Sequence, residues 1–213
     1  LAMPWVKENA DAVLVQWYAG EQQGCTLADI LLGKVNPSGK LNVSFPRSTG
    51  NTPCFYNHFV TDREEPFDQP GTPEEPKGHY IFDKPEPLWN FGHGKSYTTF
   101  DYVDCALSDT LLVASDTLKV SVTIKNTGRC DGKEVVQLYV RDKVSTVATP
   151  IQQLKAFQKV LVKPGESQCV ELSLPIAELA LYNAKMEEVV EPGDFEIQIG
   201  AASDDIRFKK TIT

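Results

Sequence analysis

The sequence predicts an incomplete α/β layer followed by an all-β sandwich. Three observations carry this expectation. Apolar and polar residues alternate with period two through most of the second half of the chain. A short, nearly continuous apolar run, Ala12-Val13-Leu14-Val15-Gln16-Trp17, stands between helical patterns near the start. Between the two regions, Pro53, Pro66, Pro70, Pro73, Pro76, Pro85 and Pro87 interrupt any regular element.

The first region, residues 1–48, reads as helix, strand, helix, strand. Pro4 suits the first turn of a short helix running to about Ala10, where its missing N–H has no intrahelical partner to lose. The run 12–17 fits a parallel strand buried on both faces. Leu27, Ile30 and Leu31 lie on one face of a second helix, which Gly33 stops. Leu41, Val43 and Phe45 alternate with Asn42 and Ser44, which predicts another strand. A strand as apolar as 12–17 needs neighbours on both sides, and this chain supplies few, so the layer is expected to begin part-way through.

Residues 49–99 read as a long connecting loop and junction. Asp62-Arg63-Glu64-Glu65 is a charged run, and the aromatics Phe55, Tyr56, Phe59, Phe67, Tyr80 and Phe82 predict that the loop packs against something. Residues 100–213 read as antiparallel β-structure. Leu118, Val120, Val122 and Ile124 alternate with Lys119, Ser121, Thr123 and Lys125. Val136, Leu138 and Val140 alternate with Gln137, Tyr139 and Arg141, which places Tyr139 on the wet face. The same rule continues through 170–174, 195–199 and 206–208. Turn residues at Asn126-Thr127-Gly128, Lys163-Pro164-Gly165-Glu166 and Glu191-Pro192-Gly193-Asp194 separate these runs. About seven such strands make an immunoglobulin-like or fibronectin-like sandwich.

Composition limits function. The charge balance of 21 basic against 29 acidic residues gives a net charge of −8, so nucleic-acid and anionic-membrane roles are not expected. No apolar run approaches a membrane span. Leu1-Ala2-Met3-Pro4-Trp5 has no charged leader followed by an apolar stretch, so it is not expected to be a signal peptide. The five cysteines, Cys25, Cys54, Cys105, Cys130 and Cys169, are widely spaced without a C-x-x-C pair. They predict thiols rather than a metal site or a full disulfide framework, with a bridge among some of them left open. No metal or cofactor is expected.

Several stretches together resemble family 3 glycoside hydrolases. Gln16-Trp17-Tyr18-Ala19-Gly20-Glu21, Leu27-Ala28-Asp29-Ile30-Leu31-Leu32-Gly33, Asn36-Pro37-Ser38-Gly39-Lys40-Leu41 and Phe45-Pro46-Arg47 are similar to the late part of that family's α/β domain. Leu88-Trp89-Asn90-Phe91-Gly92-His93-Gly94-Lys95-Ser96-Tyr97-Thr98-Thr99-Phe100 resembles its junction, and Val120 to Asn126, Glu134 to Val140, Leu154 to Phe157, Lys163 to Glu166 and Glu191 to Phe195 resemble its fibronectin type III-like module. The resemblance implies a parent enzyme that cleaves β-glucosides, β-xylosides and related sugars with retention. That parent would be periplasmic or secreted and contain a barrel, an α/β domain and this module, which buttresses the others and contributes to a homodimer. It implies that the nucleophilic aspartate and the acid/base glutamate both precede Leu1.

Retaining hydrolysis needs two carboxyl groups about 5–5.5 Å apart. Glu8 and Asp11 read as solvated, Glu21 as a charge at a helix start, and Asp29 as a polar face, so no catalytic residue is assigned here. Neither an H-E-x-x-H nor a G-x-S-x-G pattern is present. Gly92-His93-Gly94 reads as a structural joint rather than a phosphate cradle. Tyr56 and Asn57 are the candidate cleft-lining residues, because aromatics on a long loop can stack on sugar rings; the competing reading has the same aromatics packing the loop onto its neighbours. The leading expectation is a structural portion of a β-glycosidase, inactive alone. The alternative is a carbohydrate-binding or adhesion module, for which Tyr139 is the main aromatic candidate.

Overall fold

Alternation with period two buries one face of a strand, and the computed structural model, which describes residues 1–59, 72–74 and 86–213, contains nine strands among them. They are β1 (Phe100–Leu107), β2 (Thr117–Asn126), β3 (Gly132–Asp142), β4 (Gln153–Val162), β5 (Ser167–Pro175), β6 (Leu181–Tyr182), β7 (Glu188–Val189), β8 (Phe195–Ala202) and β9 (Asp205–Ile212). One antiparallel sheet has the order β1-β2-β5, a second has the order β4-β3-β8-β9, and β6-β7 is a short separate hairpin. Seven strands therefore make the two faces, in accord with the sequence pattern.

The core lies between the two sheets. Leu118, Val120, Val122 and Ile124 of β2 are fully buried, and so are Val136 and Leu138 of β3 and Ile197 of β8. Val170, Leu172 and Leu174 of β5 join the same cluster. Lys119 and Lys125, on the opposite side of β2, are exposed. β3 departs from the expected pattern. Val135, Gln137 and Tyr139 are buried as well, Tyr139 completely. Tyr139 is therefore not a wet-face residue, because the junction segment covers the outer side of its strand.

The first region forms its helices but not its strands. The first helix, α1 (Pro4–Asn9), starts with Pro4 in its first turn, and the second, α2 (Gln23–Leu31), is followed by Gly33 at φ +70. Residues 12–17, expected as a buried strand, pair with nothing among the described residues, and Val13, Leu14 and Trp17 are exposed. The reason is physical: a strand's N–H and C=O groups need a neighbouring strand, and no described segment hydrogen-bonds to this backbone. Residues 41–45, expected as a strand, make backbone-to-backbone hydrogen bonds to the junction at Leu41 and Phe45, and Ser44 Oγ accepts from Phe91 N–H (3.2 Å). Phe45 N–H donates to Trp89 O (2.8 Å) and Leu41 N–H to His93 O (2.8 Å), with a single bridge at Phe45 and Trp89. Asn42 and Val43 bend out between them. The charged run 62–65, and Phe67, His79, Tyr80 and Phe82, lie outside the described residues.

The core predicts a clear asymmetry along one strand. Ile124→Ala should destabilise the fold by about 2–5 kcal/mol, through lost burial and a residual cavity. Lys125→Ala, on the exposed side of β2, should stay within about 0.5 kcal/mol of the parent. Urea unfolding of the two variants would check this.

Candidate functional site: the joint between layer and sandwich

The residues singled out by the sequence converge on one joint, where 36–47, 51–59 and 88–98 meet one end and the outer face of the sandwich. Asn36, in the N-P-S-G turn, is the first connector. Its Nδ2 donates to Asp131 O (2.8 Å), and its Oδ1 accepts from Ser96 Oγ (2.9 Å) and Tyr97 N–H (2.8 Å). Asn126, at the end of β2, works in the same way from the sandwich side. Its Oδ1 accepts from Thr98 Oγ1 (2.6 Å) and Gly128 N–H (3.0 Å), while its Nδ2 donates to Val162 O (2.8 Å) and Cys130 O (2.9 Å). A fully buried amide is tolerable only when bonded in this way.

An ion pair crosses the same joint. Lys40 Nζ lies 3.1 Å from Glu134 Oε1, with side-chain exposures of 14% and 6%. Lys40 also donates to Gly94 O, and Tyr102 Oη donates to the same Glu134 oxygen at 3.2 Å. Burial pushes the Tyr102 phenol well above its ordinary value, and the Glu134 carboxylate adds to the effect. Arg207, paired with Asp205, stands over the Tyr102 ring at 5.6 Å.

The glycines of the junction are set by close approach. Gly92 has φ +80, and a Cβ there would meet Gln137 Oε1 at 2.3 Å and Tyr139 Oη at 3.0 Å. A Cβ on Gly94 would meet Gly39 O at 2.3 Å. Gly92-His93-Gly94 thus packs against protein, as a joint. Burial pushes the His93 imidazole down, with Lys95 adding to the shift and Asp204 opposing it.

Tyr56 sits at the centre of the outer face. Its ring stacks on Phe91 at 4.2 Å and meets the Tyr139 ring edge-on at 5.9 Å, while its hydroxyl accepts from Leu154 N–H at 3.1 Å. Tyr139 Oη donates to Gln137 Oε1 (2.6 Å), and Gln137 Nε2 donates to Ala201 O (2.6 Å). A second anchor lies just beyond, where Ile151 N–H donates to His58 O (2.9 Å). Asn57, between the two anchors, is half-buried, and its amide makes no hydrogen bond among the described residues. Phe55, on the other side of Tyr56, is 62% exposed.

The remaining candidates are separate. Glu8, Asp11 and Glu21 are exposed, and Asp29 pairs with Lys34 at 3.5 Å. Among the described residues no group of three or more His, Cys, Asp or Glu side chains could hold a metal ion. All five cysteines are free thiols; burial raises Cys105 and Cys54. Sequence reasoning found the Asn36–Lys40 and Glu134–Val140 stretches but not the pairing of Lys40 with Glu134. The signal available was a lone acid at the start of a strand otherwise rich in valine.

A sandwich of three and four strands, locked by a polar joint to the segment that precedes it, defines the class: a fibronectin type III-like module with part of its neighbouring domain. A profile described as "Fibronectin type III-like domain" matches residues 134–203, and one described as "Glycosyl hydrolase family 3 C-terminal domain" matches residues 1–97. The chain belongs to glycosyl hydrolase family 3, whose C-terminal portion it carries. It is 39% identical over 95% of its length to a "Periplasmic beta-glucosidase" of Salmonella typhimurium and 40% identical over 97% to a "Beta-xylosidase" of Formosa agariphila. It spans 26% and 28% of those two proteins. Among solved structures, a beta-glucosidase from Listeria innocua superposes on all of the chain with a TM-score of 0.89 at 36% identity, the chain covering 29% of it.

Two outcomes are expected at the joint. Glu134→Gln or Lys40→Met alone leaves a buried partner uncompensated and should cost about 3–5 kcal/mol, whereas the double variant Lys40→Met/Glu134→Leu should recover most of that loss. A double-mutant cycle by chemical denaturation reads the coupling. For His93, the folded chain binds the proton less readily than the unfolded chain, whose value is near 6.5. Stability is therefore complete above that pH and falls as pH drops through it. Unfolding midpoints at pH 7.5 and 5 should show the loss, and His93→Gln should show less of it.

Proposed function

We propose that the chain is the carboxy-terminal portion of a retaining β-glycosidase acting on β-glucosides or β-xylosides, and that its own role is to hold the catalytic domains in register. The division proposed is 1–48 as the end of an α/β domain, 49–99 as connecting loop and junction, and 100–213 as the sandwich. The observation that carries the reading is the end-to-end similarity to much longer β-glucosidases and β-xylosidases. Exposure supports it. Trp5, Trp17, Tyr18, Leu31 and Leu32 in the first region are all more than half exposed, an apolar surface suited to packing against the parent's barrel and α/β domain.

In that parent, one carboxylate attacks the anomeric carbon while a carboxylic acid protonates the leaving oxygen; the second group then activates water. Both groups are assigned to the parent's other domains, since Glu134 is engaged by Lys40 and Tyr102. A periplasmic or secreted location and a homodimer belong to the same proposal. A free-standing carbohydrate-binding module is disfavoured by the complete burial of Tyr139.

The full-length protein should hydrolyse aryl β-glucosides or β-xylosides with retained anomeric configuration by NMR, while the 213-residue chain should show no turnover and no retention on β-glucan. Sedimentation of the full-length protein reads its oligomeric state. Turnover by the isolated chain would overthrow the proposal.

A further inference from the structure

The segment 54–59 combines three observations that packing alone leaves unexplained. Tyr56 is fixed on three sides, by Phe91, Tyr139 and the Leu154 amide. Beside it, the half-buried Asn57 amide has no hydrogen bond among the described residues, whereas the half-buried or buried Asn36, Asn51, Asn90 and Asn126 all have partners. On the other side, Phe55 presents its ring to solvent at 62% exposure. The half-buried Asn57 amide, unbonded among the described residues, leaves its two donors and its acceptor available to an outside group.

The surroundings indicate what that is. The exposed aromatics Trp5 and Trp17 belong to a region that also exposes Val13, Leu14, Leu31 and Leu32, the composition of a protein-packing face. Phe55 is instead followed, past the fixed Tyr56, by an amide and an imidazole, so an apolar ring is combined with polar donors and acceptors. A pyranose fits that combination: its C–H face stacks on an aromatic ring while its equatorial hydroxyls bond an amide. No aspartate or glutamate occurs in residues 49–59, so the ring held here is not the one undergoing displacement.

We propose that Phe55 and Asn57 form a subsite for the non-reacting sugar ring of a β-linked oligosaccharide, and that Tyr56 is a positioning residue that holds both in place. The proposal rests on the reading of the parent as a β-glycosidase. Phe55 supplies the stacking surface and Asn57 the hydroxyl contacts. Tyr56 touches no sugar and acts by fixing the backbone between the two anchors.

The test uses the full-length enzyme with a β-linked disaccharide and the methyl β-glycoside of the same sugar, which lacks the second ring. Phe55→Ala and Asn57→Ala should each raise the ratio of disaccharide KM to methyl glycoside KM about tenfold, near 1.4 kcal/mol. Phe55→Trp should restore the ratio for the first. Tyr56→Ala should raise it in the same way, and Tyr56→Phe, which keeps the stack, should raise it less. Leu111→Ala, exposed on the sandwich far along the chain from the joint, should leave it at the wild-type value. An unmoved ratio with a lowered melting temperature in Phe55→Ala would mean that Phe55 packs another domain, and would overturn the subsite. Equal KM increases for both substrates would overturn it too. Wild-type enzyme inactive on every β-glycoside would instead sink the parent reading, so the two failures are distinguishable.

Discussion

The arrangement of this chain depends on β3 being buried on both faces. Its inner side chains, Val136, Leu138 and Val140, close the sandwich core, as alternation requires of any strand in a two-layer fold. Its outer side chains, Val135, Gln137 and Tyr139, are buried too, with Gly92 and Tyr56 of the junction against Gln137 and Tyr139. Covering them is favourable only if their polar atoms are satisfied, since an unpaired hydroxyl or amide in such a place costs about 1–3 kcal/mol. The Tyr139 hydroxyl meets Gln137, and Gln137 meets Ala201 and Gly92. The strand is thus a shared wall, with the sandwich core on one side and the joint on the other.

The joint divides affinity from registration. Tyr56 on Phe91, and Phe45 between Trp17 and Trp89, supply apolar area. The Lys40–Glu134 pair contributes less net energy than its geometry suggests, because both charges are withdrawn from water. Its effect is to penalise displacement, since a shift of 36–41 along the sandwich strands Lys40 or Glu134 without its partner. Asn36 and Asn126 do the same with neutral groups. Gly92 and Gly94 let the backbones come close enough for these bonds to form, at positions where a Cβ would overlap Gln137 and Gly39.

The sandwich was legible in the sequence because its information is local: each β2 or β5 residue reports its own face by its polarity. The outer face of β3 was not, because Gln137 and Tyr139 are the residue types that also sit in water. Only the partners Gly92 and Tyr56, 45 or more positions away, reveal that they are covered. The run 12–17 fails for the opposite reason. Its composition suits a strand, but strand formation is a property of pairs, and no described segment hydrogen-bonds to its backbone. For the candidate site, the sequence pointed to Tyr56 and Asn57, and the distinction between a fixed ring and an unbonded amide required coordinates.

Exposure is not uniform across the chain, and its segregation is informative. Large apolar residues are exposed in the first region, whose expected sheet lacks its neighbours, and at sandwich positions that include Val103, Leu111, Val113, Val144, Phe157, Leu161, Tyr182 and Met186. The segment 54–59 belongs to neither class. It is anchored at Tyr56 and at the His58 carbonyl, yet Phe55 and Phe59 are both exposed and the half-buried Asn57 amide makes no hydrogen bond among the described residues. A loop fixed only for packing would gain by satisfying the amide and covering the ring within the same fold. A ring fixed at Tyr56 between the exposed Phe55 and the half-buried Asn57 amide suits a ligand, because a preorganised loop loses little entropy when the ligand arrives.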